Sequence, residues 1–384
     1  MPRAAFIILI ASVGLLTALG LTMLTSTSMW VPGVDNPYHF ITRQSQMAVI
    51  GIVLCIAATF TPIDLLRRAA PTIWIATTIL LALCFVPGIG VEIFGSKRWI
   101  QLPGLPQIQP SEFAKITIFL CIAAWYARWQ TEIHTFWRGF VIPGIIAGIP
   151  IILILLETDA GTAIALAAAV AAIMFVVGSR TIYLTVAGIA GIAGAGFFLH
   201  ADANRWARIQ GWLNLHDPEL SLGINFQHLR ALYALGNGGP NGVGLGNSVE
   251  KFGTLTLAHS DFIYPVIGEE LGLLGTLGVI LLFALILLSG VAVALHAKPL
   301  FHRLLALGLT IVLVFPALMH IAVTTAMLPN DGVPLPFVSY GGTGLVFSFI
   351  AVGILCRIHR ESAVEAQHFK TSPLARQVRL AVKL

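Results

Sequence analysis

Long apolar segments alternate with short polar ones along most of this 384-residue chain. About 20 apolar residues in a helix cross the hydrocarbon core of a bilayer. About ten segments approach this length: 6–24, 47–60, 73–86, 113–129, 140–156, 162–177, 182–199, 262–288, 304–327 and 345–356. The second, third and tenth are short, and their ends are defined only to within several residues.

This pattern predicts an all-α polytopic membrane protein with a membrane domain at 1–356. A large outer loop at 200–261 is expected between the seventh and eighth spans. With ten spans and an inner N-terminus, about 14 of the 22 Lys and Arg residues fall on the cytoplasmic side, in keeping with the positive-inside rule. The first segment lacks a small-residue cleavage site and is interpreted as a retained span.

Both termini are therefore expected in the cytoplasm, with a basic tail at 357–384 lying along anionic lipid. The net charge of +5 reflects these inner anchors and requires no nucleic-acid partner. The four cysteines stand singly in or beside apolar runs, without metal-ligand spacing, and are interpreted as small hydrophobic residues.

Charged residues gather in front of the fourth apolar segment. Pro110 suits the first turn of a helix, which places Glu112 near the positive helix end and Lys115 one turn further on the same face. One interpretation is an interfacial ion pair beside the tryptophan anchor Trp99. The other is a phosphate site formed by Arg98 and Lys115, with Glu112 orienting the lysine. Outer cations are uncommon in membrane proteins, which slightly favours the phosphate site.

Asp159 stands between the fifth and sixth segments, where it is placed to cap a helix that begins at Ala160. Capping alone and capping combined with a functional role fit the sequence about equally well. Glu157 adds a second acid at the same outer surface.

Three carboxylates, Asp261, Glu269 and Glu270, open and interrupt the eighth segment. At bilayer depth each costs roughly 2.5–3.5 kcal/mol on insertion scales, so such groups usually face a cavity, a partner or a substrate. Pro265 would crowd the Asp261 carbonyl in a continuous helix, so the helix is predicted to begin near Tyr264. Glu269 then lies about 12 Å deeper, too far for a catalytic carboxylate pair. Asp261 is the chemical candidate, and the glutamates are expected to bond to neighbouring helices.

Two further segments have unusual backbone requirements. The glycine-dense stretch 236–246 predicts tight turns and a close backbone approach to another element. Segment 328–343 is rich in proline and glycine, so it is either a re-entrant loop that seals the bundle or a lining of backbone donors for a polar head group. His320, within the ninth apolar run, is expected to be a hydrogen-bonded packing residue.

In this order these segments resemble the SEDS family of cell-wall polymerases, from about Arg43 to Thr343. The motifs that carry the resemblance are Lys97-Arg98-Trp99-Ile100, Gln109-Pro110-Ser111-Glu112-Phe113-Ala114-Lys115, Asp159-Ala160-Gly161-Thr162-Ala163, Gly244-Leu245-Gly246, His259-Ser260-Asp261-Phe262-Ile263, Glu269-Glu270-Leu271-Gly272 and 334–342. Residues 229–236 and 251–253 resemble the division branch of that family more than its elongation branch.

The resemblance implies a ten-span fold and polymerisation of glycan strands from lipid II, an undecaprenyl-diphosphate-linked disaccharide peptide, outside the bacterial cytoplasmic membrane. It also implies a monofunctional class B transpeptidase (a penicillin-binding protein), divisome proteins and membrane lipids as partners. Asp261 matches the aspartate thought essential for catalysis. The predicted substrate-binding residues are Arg98, Trp99, Glu112, Lys115, Asp159, Lys251, His259 and Ser339.

The chain departs from the family pattern at several positions. Thr256-Leu257 replaces a usual Pro-Glu, Thr158 a proline, and His320 an asparagine. Pro265 replaces a usual alanine and Asp331 a usual threonine, and both are expected to reshape the surroundings of Asp261.

No cofactor is assigned from the sequence. The resemblance implies that a divalent cation, Mg²⁺ or Mn²⁺, could share in balancing the diphosphate charge, but no ligand set is readable. Three alternatives stay open: a lipid II flippase, an elongation polymerase, and a non-catalytic scaffold for the transpeptidase. A flippase needs polar residues through mid-membrane, and spans five to seven offer few.

Overall fold

The computed structural model describes residues 3–28, 36, 38–93, 95–101, 107–215, 217, 223, 225–252, 255 and 257–371. The helices in these ranges are α1 Arg3–Ser28, α2 His39–Phe60, α3 Ile63–Leu83, α4 Pro110–Arg128, α5 Ile142–Leu156, α6 Ala160–Val177, α7 Thr181–His200, α8 Ala203–Leu213, α9 Phe226–Gly238, α10 Ile263–His296, α11 Leu300–Thr324 and α12 Gly342–Thr371. A five-residue π-helix, Trp137–Val141, leads directly into α5.

Nine helices in the described part of the chain are long and apolar enough to cross a membrane. They are α1 to α3, α5 to α7 and α10 to α12. Helix α4 corresponds to the remaining predicted span and carries Ser111, Glu112 and Lys115 in its first turns. It packs between α3, α5 and α11, so its polar end lies inside the bundle. The prediction of a polytopic membrane protein with about ten transmembrane helices is confirmed.

Several helices extend beyond the predicted span ends. Helix α10 continues to His296, eight residues beyond the predicted end at 288. Helix α12 runs past 356, through the start of the predicted basic tail. Apolar counting stops at the first polar residues, whereas helical hydrogen bonding continues into the interfacial region. The rest of the predicted tail, 372–384, lies outside the described residues.

The outer connections contain structure that the all-α prediction did not include. Strands β1 Gly90–Ile93 and β2 Ser96–Ile100 form an antiparallel hairpin in front of α4. The predicted outer loop at 200–261 contains the short helices α8 and α9, and Asp202 caps α8 by accepting from the backbone N–H groups of Asn204 and Arg205.

The bundle is built around α10 and α11. Helix α1 packs on α10, α2 packs on α12, and α11 contacts α4, α6 and α12. Small residues permit the closest approaches: Gly290 of α10 lies against Thr310 of α11, and Gly353 of α12 against the Cys55 carbonyl of α2. Helix α7 is different, because none of its residues is buried.

Helix α10 is broken at Gly272, which has φ 70° and ψ −164°. The break removes the helical partners of the Glu269 carbonyl and of the Leu273 N–H. The glycine-dense segment supplies replacements: Val243 donates to the Glu269 carbonyl at 2.9 Å, and Leu273 donates to the Gly239 carbonyl at 2.9 Å. Every such group needs a partner at membrane depth. The predicted close backbone approach of 236–246 is thus confirmed, with α10 as its target.

Replacing Gly272 by alanine is expected to destabilise the protein by roughly 2 kcal/mol or more. The left-handed backbone disfavours a side chain, and a Cβ there would lie 2.6 Å from the Pro240 carbonyl oxygen. Gly278→Ala is the matched control, since a Cβ at 278 meets nothing within 4 Å. Thermal unfolding in detergent measures both. Equal midpoints for the two variants would contradict the structural role of the break.

Candidate active site

The hairpin carries Arg98 to the outer ends of α5 and α6. The Nη2 group of Arg98 donates to the Thr158 carbonyl at 2.6 Å, and its Nη1 lies 3.7 Å from Oδ1 of Asp159. Ser96 and Thr158 share a hydrogen bond between their hydroxyls at 2.7 Å. Within the described part of the chain, Nε of Arg98 has no hydrogen-bond partner. Arg98 therefore keeps one donor available for another group.

Trp99 follows Arg98 and pairs with Val91 across the hairpin. Its side chain is half-buried. The hairpin thus holds Trp99 at the outer edge of the bundle beside the site.

Asp159 caps α6, as predicted. Its Oδ1 accepts from the backbone N–H of Thr162 at 3.3 Å, and the side chain is buried. The residue before it, Thr158, has φ 65°, in the left-handed region that β-branched residues rarely adopt. The turn directs both the Thr158 carbonyl and the Asp159 carboxylate toward Arg98.

Asp261 lies on the non-helical approach to α10, as predicted. Helix α10 begins at Ile263, and the Asp261 N–H donates to the Leu257 carbonyl at 3.1 Å. Burial raises the pKa of Asp261 to about 6, against smaller lowering effects of a Ser260 hydrogen bond and of the Arg98 guanidinium. An acid with this pKa is ionised at neutral pH and is a stronger base than an ordinary aspartate.

The structure adds Asp331, which the sequence analysis noted only as a departure from the family pattern. Burial, followed by the Asp159 carboxylate, raises the pKa of Asp331 to about 7, while Arg98, Arg208 and the Gly161 N–H lower it. Arg98 thus acts on both Asp261 and Asp331 and lies beside Asp159. The only sequence signal for Asp331 was an acid within a proline- and glycine-rich loop.

Glu112 and Lys115 form a second part of the site at the start of α4. The Lys115 ammonium donates to Glu112 Oε1 at 2.6 Å, and the side chains are 13% and 10% exposed. Both line a cavity of about 40 Å³ together with Ser339, Gly341 and Gly344. Lys115 also lines a second cavity of about 20 Å³, with Thr162 and Val333 on its wall.

The segment 328–341 connects these two parts. Ser339 Oγ donates to the Ser260 carbonyl at 2.6 Å and accepts from the Leu335 N–H at 2.8 Å. The amide of Gln44 on α2 donates to the Ser339 carbonyl at 3.0 Å. Gln44 is a site neighbour that the sequence analysis did not single out. These bonds place Ser339 between Asp261 and the cavity beside Lys115.

His259 is neutral and packed. Its ring stacks on Phe40 at 4.4 Å between centroids, and its carbonyl accepts from the Tyr340 N–H at 2.9 Å. Burial lowers the pKa of His259 to about 4. The ring therefore carries no charge with which to bind a phosphate at neutral pH.

The contacts of Lys251 do not fit its predicted role in substrate binding. Its side chain is 2% exposed, and its ammonium donates to Ser26 Oγ, to the Gly246 carbonyl and to Glu270 Oε1, each at 2.7 Å. All three ammonium hydrogens are thereby used within the protein. Lys251 therefore connects the loop before α10 to α1 and α10. Its ammonium group has no hydrogen left to donate to a diphosphate.

The neighbouring glutamates act in the same way. Glu269 accepts from the backbone N–H groups of Val249 and Glu250 at 3.1 and 3.3 Å, and Glu270 accepts from Ser26 Oγ at 2.6 Å. The prediction that the glutamates bond to neighbouring helices is confirmed for Glu270, whose partner Ser26 lies on α1, whereas the partners of Glu269 lie in the loop at 248–250.

The carboxylates near Arg98 are the candidate ligands for a divalent cation. Among the side chains that the structure describes, no three His, Cys, Asp or Glu residues lie close enough together to hold a metal ion. The carboxylates Asp159, Asp261 and Asp331 instead have the Arg98 guanidinium as a counter-charge. This set of donors therefore does not fit a bound metal ion.

Comparison with known proteins gives a consistent result. The FtsW/RodA/SpoVE family model, described as a cell cycle protein, matches residues 6–364. The probable peptidoglycan glycosyltransferase FtsW of Trichlorobacter lovleyi is 36% identical over 92% of each chain. The protein of the same name from Pseudomonas fluorescens is 35% identical over 94% of this chain and 90% of its own.

Two solved structures share the fold. The rod shape determining protein RodA of Thermus thermophilus is 26% identical, with a TM-score of 0.66 over 92% of this chain and 96% of its own. A chain from a structure titled as a peptidoglycan synthase complex that coordinates polymerization and crosslinking has a TM-score of 0.73 at 24% identity, over 92% and 97% of the two chains. Because the family model matches most of the chain and these relatives are 35–36% identical over nearly its whole length, the chain belongs to the FtsW/RodA/SpoVE family of cell cycle proteins.

Proposed function

We propose that this chain is a peptidoglycan glycosyltransferase that polymerises lipid II into glycan strands during cell division. The names of its relatives support this activity, since several FtsW proteins are 33–36% identical over nearly the whole chain. The observation that carries the proposal is the joining of Asp261 to the Lys115 cavity by segment 328–341. The proposed base, Asp261, and the cation Lys115 thereby lie on two sides of segment 328–341.

The proposed reaction is a glycosyl transfer. The C4 hydroxyl of the acceptor sugar attacks the anomeric carbon of the donor, a new carbon–oxygen bond forms, and undecaprenyl diphosphate leaves. Asp261 accepts the hydroxyl proton or holds the hydroxyl in line. Because an aspartate is a modest base even at a pKa of about 6, orientation contributes as much as proton transfer.

Lys115 and Arg98 are proposed to stabilise the diphosphate. Lys115 is held by Glu112 at the wall of both cavities, and Arg98 keeps its Nε available. Charge that develops on the leaving oxygen is stabilised most by donors already in place. The cavity of about 40 Å³ that both Glu112 and Lys115 line suits a phosphate-sized group.

The location of the charges supports an enzyme that works at one surface. Arg98, Asp159, Asp261 and Asp331 all lie in connections outside the spans, and Glu112 and Lys115 lie in the first turns of α4. A transport path would instead place polar groups along the membrane interior. We infer that this surface faces away from the cytoplasm and that both termini lie inside, in the bacterial cytoplasmic membrane.

The partners are proposed on the same basis. The solved complex combines polymerization with crosslinking, so we infer a class B transpeptidase, a penicillin-binding protein, as partner of this chain. Divisome proteins follow from the proposed role in division. An elongation role is the alternative, and the position of a fluorescent fusion at mid-cell or along the side wall distinguishes the two.

Asp261→Asn is expected to lower glycan synthesis by about 100-fold or more, the contribution of a general base. Purified protein, its transpeptidase and labelled lipid II in detergent provide the assay, with products resolved by gel electrophoresis. Asp64→Asn, an exposed acid at the first turn of α3, is the control and should retain full activity.

Wild-type activity in Asp261→Asn would exclude Asp261 as the base. If the wild-type protein makes no glycan but moves lipid II between vesicle leaflets, the transport alternative is correct. If it does neither, yet stimulates its transpeptidase, it is a scaffold.

The rate of synthesis is expected to depend on the ionised form of Asp261. Since burial raises its pKa to about 6, the rate should fall at least about tenfold per pH unit below this value. His259, with its pKa lowered to about 4, stays neutral across this range and does not contribute. A rate that stays level down to about pH 4, where an ordinary aspartate titrates, would contradict the assignment.

Lys115→Ala is expected to weaken lipid II binding by roughly 10- to 100-fold, the value of one charge-assisted hydrogen bond. Lys97→Ala is the matched control, because Lys97 is exposed on β2. Binding of fluorescent lipid II measures the affinities, and thermal unfolding checks that Glu112 tolerates the loss of its partner. Equal affinities for the two variants would place the diphosphate elsewhere.

A further inference from the structure

Asp331 belongs to none of the roles assigned above, yet it is built firmly into the site. Its carboxylate lies directly against Gly161 at the first turn of α6, where a Cβ would overlap both carboxylate oxygens. The Gly161 N–H also bonds to this carboxylate. A helix N-terminus favours a negative charge at this position. Asp331 therefore attaches its loop to α6 by a contact that only glycine at 161 permits.

The residues beside Asp331 are attached to other helices. Asn330 Nδ2 donates to Gln227 Oε1 of α9 at 2.6 Å, and the Val333 carbonyl lies 2.8 Å from Nδ1 of His320 on α11. Three successive anchors, to α9, α6 and α11, thus fix the backbone at 330–333. The segment between them cannot shift without breaking one of these bonds.

Gly332 is the residue held by these anchors, and it faces the catalytic aspartate. A Cβ at Gly332 would lie 3.2 Å from Oδ2 of Asp261, and Gly332 has φ 69°. The backbone conformation favours glycine, and a Cβ there would crowd the Asp261 carboxylate. The Gly332 backbone therefore forms one wall of the space around the Asp261 carboxylate.

Charge connects the same residues. The Arg98 guanidinium acts on Asp261 and on Asp331 and lies 3.7 Å from Asp159. The charged groups that act on Asp331 from the elements around it are Asp159 at the start of α6, Arg98 of β2 and Arg208 of α8.

We propose that Asp331 is a positioning residue for Asp261: attached to the first turn of α6, it holds Gly332 against the Asp261 carboxylate. Asp331 does not touch the reacting atoms. This inference rests on the proposed glycosyl transfer with Asp261 as base. The activity of this chain should therefore depend on the charge at position 331, which the threonine usual in the family would not carry.

The first test is Asp331→Asn, which keeps the shape and removes the charge. We expect kcat for glycan synthesis to fall roughly 10- to 100-fold, as for a misplaced catalytic group, with KM changed by less than about twofold.

The second test is a double-mutant cycle between positions 161 and 331. Gly161→Ala should displace the Asp331 carboxylate and lower kcat, whereas the same change beside Asp331→Ser should cost little, because serine leaves room for the new methyl group. Gly188→Ala on α7 is the matched control, since a Cβ there meets nothing within 4 Å.

The outcomes separate this inference from the proposed function. If the wild-type protein makes no glycan from labelled lipid II, the proposed function fails. If it does, but Asp331→Asn keeps the wild-type kcat, Asp331 has no positioning role. A lowered unfolding midpoint with an unchanged kcat per folded molecule, or additive effects in the cycle, would also overturn the inference.

Discussion

The structure around the candidate site depends on the hydrogen-bond partners of the backbone groups that the break in α10 leaves without helical partners. A helix that ends within the membrane exposes carbonyl and N–H groups that lipid cannot bind. Here the glycine-dense segment supplies those partners through Val243, Gly244 and Gly239. The side chains of Glu269 and Glu270 hold the residues that follow, up to Lys251. The first turns of α10 are thereby fixed from both sides, and Asp261 stands at their open end.

The same principle explains why the site is assembled from remote parts of the chain. Each span contributes only the residue at its outer end, since a charged group further in would need its own partner. Arg98 comes from a hairpin, Asp159 from a helix cap, Lys115 from the first turns of α4, and Asp261 from the approach to α10. Segment 328–341 contacts most of these and keeps irregular backbone against protein, where its polar groups are bonded.

Local chemistry made part of this arrangement predictable. Pro265 placed Asp261 outside the helix, Pro110 and the spacing to Lys115 placed the ion pair, and Asp159 was recognisable as a cap. Contacts between distant residues were not predictable. Lys251 was predicted to bind substrate, because its partner Ser26 is 225 residues away in sequence and their contact could not be foreseen. Asp331 showed no role because its neighbours Gly161 and Arg98 are equally remote in sequence. The hairpin was missed because its strands are short and their apolar positions are interrupted by charges.

Thr158 gives the site a property of a different kind. A threonine at φ 65° costs on the order of 1–2 kcal/mol relative to an ordinary backbone. Its bonds to Arg98 and Ser96 offset that cost. If Arg98 exchanges the Thr158 carbonyl for an incoming phosphate, the turn is released from a conformation that it does not favour on its own. Relief of this strain therefore offsets part of the free energy needed to detach the guanidinium. The resting contact between Arg98 and the Thr158 carbonyl is correspondingly weaker than its geometry suggests.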